Sequence, residues 1–204
     1  MFETNPKLLS NLLDSIESGG IHLPDFQRGW VWDDDRIRGL LASISRGFPI
    51  GAVMTLEAGG DIRLKPRLIE GVPDTSAQPT SYLLDGQQRL TSLYQALRHR
   101  DPVETRDSKG RKIRRRYYVN MQAALDPNVE REDPIESLPE NGIRTSGLGR
   151  EILLDLSSED KEFEQHMIPT ERLMAPMNWA FSYINHWSRD GRQHPEGNAN
   201  EFVQ

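Results

Sequence analysis

The sequence predicts an α+β protein, short strands and helices with a helical extension toward the C-terminus. Three observations predict it. Over the first half of the chain, short apolar runs of strand length are interspersed with amphipathic helical patterns. One such run, Tyr82-Leu83-Leu84, leads straight into Leu90, Leu93, Tyr94 and Leu97 at helical spacing, so a buried strand turns into a helix there. No fixed period recurs, which excludes a repeat architecture.

The turn between that strand and helix reads Asp85-Gly86-Gln87-Gln88-Arg89. Asp85 stands where an N-cap belongs, and Gly86 allows a tight turn. The first turn of the helix has backbone N–H groups without internal partners and the positive end of the helix dipole. Gln87, Gln88 and Arg89 add two amides and a guanidinium. A strand, a glycine turn and a donor-rich helix start make a phosphate site. The competing reading is a capped core helix whose Arg89 pairs with a carboxylate, and residue types alone leave both open.

Composition bounds the function. The chain has 204 residues, which suits one domain of ordinary size with an extension. A net charge of −6 excludes a general polyanion binder, so any nucleic-acid contact is local. The absence of cysteine excludes disulfides and thiolate zinc sites and fits a reducing cytoplasm. The N-terminus shows no basic region followed by an apolar run, and no apolar stretch approaches the length of a membrane span.

In chain order, Asn5-Pro6 followed by Leu8, Leu9, Leu12, Leu13 and Ile16 predicts a helix capped by Asn5 and ended by Gly19-Gly20. It either docks a partner or covers the sheet. Ile21 to Trp32 is read as a loop, because Pro24 and Gly29 argue against a regular central strand. In it Gln27 and Arg28 offer a second set of phosphate or base contacts, and Trp30 and Trp32 either stack on a base or pack into the core. Asp33-Asp34-Asp35 begins a helix with Ile37, Leu40, Leu41 and Ile44 on one face, and the acids suit its first turn better than a metal site. Gly47 closes that helix, Phe48 to Gly51 is a turn, and Ala52 to Leu56 a strand. Gly59-Gly60 predicts a hairpin into Ile62-Arg63-Leu64, and residues 71–80 a loop.

From Arg98 to Arg116, nine basic residues face three acidic ones. Ser108-Lys109-Gly110 marks a turn and Ile113 to Met121 a strand. This basic hairpin either tracks a nucleic-acid backbone or is a solvated, charge-protected edge strand. Leu125 to Arg150 is rich in Pro, Gly, Glu and Asn and is read as irregular. Ile152 to Leu156 predicts a strand, Ser157 or Ser158 a cap for a helix to Met167, and Met177, Ala180, Phe181, Ile184 and Trp187 a last helix from about Pro176 to Trp187. Residues 188–204 are read as a polar, disordered tail. No P-loop, HExxH or GxSxG sequence occurs, and the five histidines show no ligand spacing, which makes each a surface or packing residue.

Two segments, Leu23 to Trp32 (LPDFQRGWVW) and Tyr82 to Leu93 (YLLDGQQRLTSL), together resemble the N-terminal domain of GmrSD-type, DGQQR-containing proteins. These include modification-dependent restriction enzymes and SspE-like phage-defence effectors, and their domain is related to the ParB/sulfiredoxin-like fold. The helix from Asp33 to Arg46 with Gly47-Phe48-Pro49-Ile50 resembles the ParB pattern, and Gly86-Gln87-Gln88-Arg89 corresponds to its GxxR core. The resemblance is rich in motifs over residues 21–97 and is not traced beyond about residue 120.

It implies an NTPase module, fed by a nucleoside triphosphate with Mg²⁺, that regulates or powers restriction of DNA, modified DNA included. Its implied catalytic residues are Asp85, Gln87, Gln88 and Arg89, with Asp85 also the Mg²⁺ ligand. The implied nucleotide contacts are Gln27, Arg28, Gly86, Ile50 and Thr91. Lys109, Arg111, Lys112, Arg114, Arg115 and Arg116 are the candidate DNA contacts. No DHxxP-like stretch is present, so the nuclease is expected in a separate HNH-type domain or subunit. On this reading residues 1–125 form the nucleotide-binding core, 126–188 an irregular and helical extension, and 189–204 the tail. A non-hydrolysing nucleotide or DNA sensor and an adaptor that docks a nuclease remain the alternatives, and self-association is open.

Overall fold

The computed structural model describes residues 5–59, 64–130, 134–147, 149–189, 192–195 and 199. The chain divides into two units, Met1–Arg114 and Arg115–Gln204. Both mix short strands with helices, so the α+β class holds.

The first unit is built on a four-stranded sheet of β1 (Ile21–Pro24), β2 (Met54–Glu57), β3 (Pro66–Arg67) and β4 (Ser81–Asp85), in the order β2-β4-β1-β3. β1 and β4 run parallel at the centre, with Ile21 opposite Ser81 and His22 opposite Tyr82, and the outer strands are antiparallel to them. Three helices, α1 (Leu9–Glu17), α2 (Asp34–Ser45) and α3 (Gln87–Leu97), accompany the sheet, and α1 and α2 both pack on α3. Leu13, Ile16, Leu23, Ile37, Leu83, Leu90 and Leu93 are fully buried. β5 (Val103–Arg106) leads into the turn Asp107–Arg111.

Two expectations are corrected here. Ile21 to Pro24, expected as loop, is a buried central strand; Pro24 is its last residue, so the missing N–H interrupts no further pairing. Helix α1 begins after Leu8, without a side-chain cap, rather than at Asn5. Burial of Leu13 and Ile16, about 1.5–3 kcal/mol each, outweighs the roughly 1 kcal/mol a cap would add. Helix α2 starts as its sequence predicts, with the Asp33 carboxylate accepting from the Arg36 N–H at 2.9 Å. The expected hairpin from Gly59-Gly60 into Ile62-Arg63-Leu64 lies mostly outside the described residues.

In the second unit β6 (Lys112–Asn120), which starts within the last residues of the first, lies between β7 (Ile135–Pro139) and β10 (Met167–Pro169), antiparallel to both. β8 (Ile143–Thr145) and β9 (Ile152–Asp155) form a separate antiparallel pair. α4 (Met121–Leu125) follows β6, α5 (Glu159–Glu164) precedes β10, and α6 (Met177–Ser188) follows it. Tyr118, Leu138, Leu154, Leu156 and Met167 form one core cluster, and Phe163, Ile168, Trp179, Tyr183 and Ala199 another. Leu125 to Arg150 is therefore not irregular throughout. Only Ile135 and Leu138 of β7 are buried, three apart, so no period of two announces the strand, and its pairing with β6 decides the outcome. Tyr118 and Val119 of β6 are paired on both sides, by β7 and β10, while the basic Arg115 and Arg116 before them pair with Pro139 and Leu138 of β7.

Burial pushes the Glu162 carboxyl up to about 7 from the ordinary 4.5; the negative charges of Glu171 and Glu159 add to the rise and Arg172 opposes it. A carboxyl that holds its proton more tightly folded than unfolded supports folding below about pH 4.5 and loses that support as pH rises through about 7. Thermal melts across this window are expected to show a declining midpoint in the wild type and a flatter profile in Glu162→Gln. Superimposable profiles would remove Glu162 as the cause.

Candidate functional site

The site is assembled at the junction of β4 and α3. Asp85 is the last residue of β4, opposite Met54, and Gly86 takes a left-handed backbone (φ +94°) that turns the chain into the helix. The positive φ favours glycine here, and a Cβ at Gly86 would also stand a tight 3.2 Å from the Val53 side chain. Asp85 is thus not the helix cap: Gly86 occupies that position, and α3 starts with no side-chain cap. The Asp85 carboxylate instead accepts from Arg89 Nη2 at 3.2 Å and is 70% exposed. Leu90 N–H bonds to the Gly86 carbonyl, which leaves the preceding N–H groups of the first turn without helical acceptors.

Three glutamines tie the loop after β1 to this junction. Gln27 Nε2 donates to the carbonyls of Leu83 (2.7 Å) and Leu84 (3.1 Å). Gln87 Nε2 donates to the Arg28 carbonyl at 2.8 Å. The Gln88 amide is used at both ends, accepting from Val31 N–H at 2.9 Å and donating to the Gly29 carbonyl at 3.3 Å. Trp30 Nε1 donates to Ser92 Oγ on α3 at 2.9 Å, which ties the half-buried Trp30 to the helix. Trp32 is half-buried, and its carbonyl accepts from Thr105 Oγ1.

Arg89 ties down a second loop. Its Nη1 donates to the Ile50 carbonyl at 2.6 Å and its Nη2 to the Ala52 carbonyl at 2.8 Å. Gly51 lies between them (φ +91°), and a Cβ there would sit 2.0 Å from Arg89 Nη1. Ile50 therefore enters the site through its carbonyl.

What remains outward is a short set. Arg28 is exposed, and among the described residues no partner meets its guanidinium. Phe26 is 72% exposed, and Phe48 is 56% exposed with Arg46 5.9 Å from its ring centroid. Thr91, expected as a nucleotide contact, is corrected: it is fully buried on the core side of α3 and has no surface to offer a ligand. Among the described residues no group of three or more His, Asp or Glu side chains converges as a metal site.

Sequence reasoning missed Arg67 and Glu70. Glu70 Oε1 accepts from Arg67 Nη1 at 2.7 Å and from Trp30 N–H at 3.1 Å. A cation and an acid three residues apart beside a strand were the available signal, but their target lies 40 residues away.

The basic residues divide into two groups. Lys109, Arg111, Lys112 and Arg114 are exposed, with Arg111 paired to Asp107 at 2.6 Å. Arg115 and Arg116 are half-buried, and Arg116 Nε donates to the Glu140 carbonyl. Four histidines, His22, His166, His186 and His194, are buried. In the second unit Tyr183 Oη lies 2.6 Å from His166 Nδ1 and 2.5 Å from His194 Nε2, so a segment expected as a tail contributes a buried side chain. A cavity of about 360 Å³ there is lined by Asp160, Ser182, His186, Arg189 and Arg192 among others.

Residues 9–186 match the family described as GmrSD restriction endonuclease, N-terminal domain. The chain belongs to that family. The GmrSD N-terminal match runs from the first residue of α1 into α6, so it takes in the second unit, where the sequence motifs gave no trace. An uncharacterized protein of Methanocaldococcus jannaschii is 34% identical over 102 residues, covering 43% of this chain. The chain spans 17% of that relative's length. No helix of this GmrSD N-terminal domain, among the described residues, is long and apolar enough to cross a membrane.

Proposed function

We propose that the first unit binds a nucleoside triphosphate at the start of α3 and hydrolyses it, as the NTPase module of a modification-dependent restriction or anti-phage system. The observation that carries this reading is the pairing of an uncapped helix start with the exposed Arg28, whose guanidinium meets no partner among the described residues and whose carbonyl is held 2.8 Å from Gln87 Nε2. Unsatisfied N–H groups, a positive dipole end and a guanidinium together favour phosphate oxygens.

In this account Arg28 meets the phosphates, and the N–H groups of the α3 first turn cradle them. Gln27, Gln87, Gln88 and Arg89 act as positioning residues, because their side chains already hold the two loops. The exposed Asp85 carboxylate would hold Mg²⁺, which commonly takes one or two carboxylates and completes its shell with phosphate oxygens and water. The ion would neutralise charge on those oxygens. Exposed Lys109, Arg111, Lys112 and Arg114 are the candidate contacts for DNA, with an HNH-type nuclease domain or subunit as the partner that is regulated.

One observation favours the second reading, a sensor that binds without turnover. Both ends of the Gln88 amide and the donating end of Gln87 are engaged, which leaves Asp85 as the side chain best placed to orient water. Arg28→Ala tests the site under either reading. Loss of a charge-assisted contact of about 1.5–3 kcal/mol weakens binding of Mg²⁺–nucleotide roughly tenfold or more. The melting temperature is expected to stay put, since Arg28 is exposed. Unchanged affinity by calorimetry would move the site elsewhere.

A further inference from the structure

Residues 27–31 form no helix or strand, yet their backbone is bonded by side chains of two segments. From α3 come the bonds of Gln87 and Gln88. From the segment after β3 come Arg67 and Glu70: Glu70 Oε1 accepts from Trp30 N–H at 3.1 Å, and Arg67 Nη2 lies 3.3 Å from the Gln27 carbonyl and 3.5 Å from that of Arg28. The two Arg67 contacts are long, so the 2.7 Å Arg67–Glu70 pair and the bond to Trp30 carry most of the hold. Glu70 is itself fixed to α3, its carbonyl accepting from Gln95 Nε2 at 3.1 Å. Glu70 thus links the loop, through its carboxylate, to the helix that carries the site, through its backbone carbonyl.

We propose that Arg67 and Glu70 are positioning residues, a clamp outside the sequence motifs that fixes the backbone at Arg28 and so sets where its guanidinium meets the nucleotide phosphates. This rests on the reading of the α3 start as a nucleotide site. With the clamp removed, the loop keeps its bonds to α3 and the Gln27 bonds to β4 but loses the hold on Trp30 N–H, and Arg28 samples positions away from the phosphates. Because Glu70 reaches the ligand only through Arg28, its effect must vanish when Arg28 is gone.

The experiment is a double-mutant cycle of Glu70→Ala and Arg28→Ala, read as affinity for each of the four ribonucleoside triphosphates with Mg²⁺. Residue-resolved amide exchange of the nucleotide-free protein accompanies it. Glu70→Ala is expected to weaken binding about tenfold in the wild type and less than about twofold in Arg28→Ala, a coupling typical of groups acting through one another. Amide exchange at Trp30 is expected to accelerate. Glu70→Gln, which keeps an acceptor for Trp30 N–H, is expected to recover part of the affinity. Equal losses in both backgrounds would overturn the proposal and make Glu70 a residue of general stability. Wild type that binds none of the four nucleotides overturns the nucleotide reading and with it the clamp's purpose, while unchanged exchange at Trp30 would overturn the clamp itself.

Discussion

Replacing Arg89 by alanine is expected to loosen residues 50–52 and to abolish measurable nucleotide binding at the start of α3. The side chain, 23% exposed, joins the Ile50 carbonyl, the Ala52 carbonyl and the Asp85 carboxylate. Hydrogen bonds from a charged donor contribute about 1.5–3 kcal/mol each. Water recovers part of that loss, since Ile50 is half-buried and Ala52 exposed. The net cost is about 2–3 kcal/mol, or roughly 5–10 °C in melting temperature for a chain of this size. Arg89→Lys keeps the charge but cannot place two donors in a fork, so it is expected to recover less than half of the loss. Denaturant titration and calorimetry with Mg²⁺–nucleotide check both arms. Wild-type stability in Arg89→Ala would mean that the carbonyls are satisfied equally well by water.

Gly51→Ala is expected to damage the site as severely as loss of the arginine, although it adds only a methyl group. The new Cβ would fall 2.0 Å from Arg89 Nη1 and 3.2 Å from its Cζ, so the guanidinium must shift away from the position in which it serves the Ile50 carbonyl. The backbone at φ +91° adds a left-handed penalty of about 1–2 kcal/mol. Gly47 provides the control, with a positive φ of 69° but open space within 4 Å of where a methyl group would stand. Gly47→Ala is therefore expected to show the backbone penalty alone. In an Arg89→Ala background the cost of Gly51→Ala should shrink to that same penalty. Equal costs in both backgrounds, measured by thermal melts, would refute the steric argument.

Helices α2 and α3 were legible because their apolar residues recur at helical spacing and Asp33 has the chemistry of a cap. The β4–α3 turn was legible as a place but misread in detail. An aspartate before a glycine suggests a capping side chain, whereas the left-handed Gly86 takes the cap position and turns Asp85 toward Arg89. The family resemblance implied Thr91 as a nucleotide contact from its place beside the motif, but the residue shares the core face of α3 with Leu90. The employment of the glutamines was invisible for a different reason. Their partners are main-chain carbonyls 56–59 residues away, and a carbonyl leaves no mark on residue identity. β7 escaped notice because two buried residues three apart carry no strand period, so its order comes from pairing with β6.

Titration calorimetry of the wild type and Arg28→Ala with the four Mg²⁺–ribonucleoside triphosphates, run beside thermal melts of the same samples, decides whether the start of α3 binds nucleotide phosphates. Saturable binding of at least one nucleotide to the wild type is expected, with a tenfold or greater loss in Arg28→Ala and unchanged melting of the nucleotide-free variant. Equal affinity in the two proteins, or no binding by the wild type, would contradict the assignment of the α3 start as a nucleotide phosphate site.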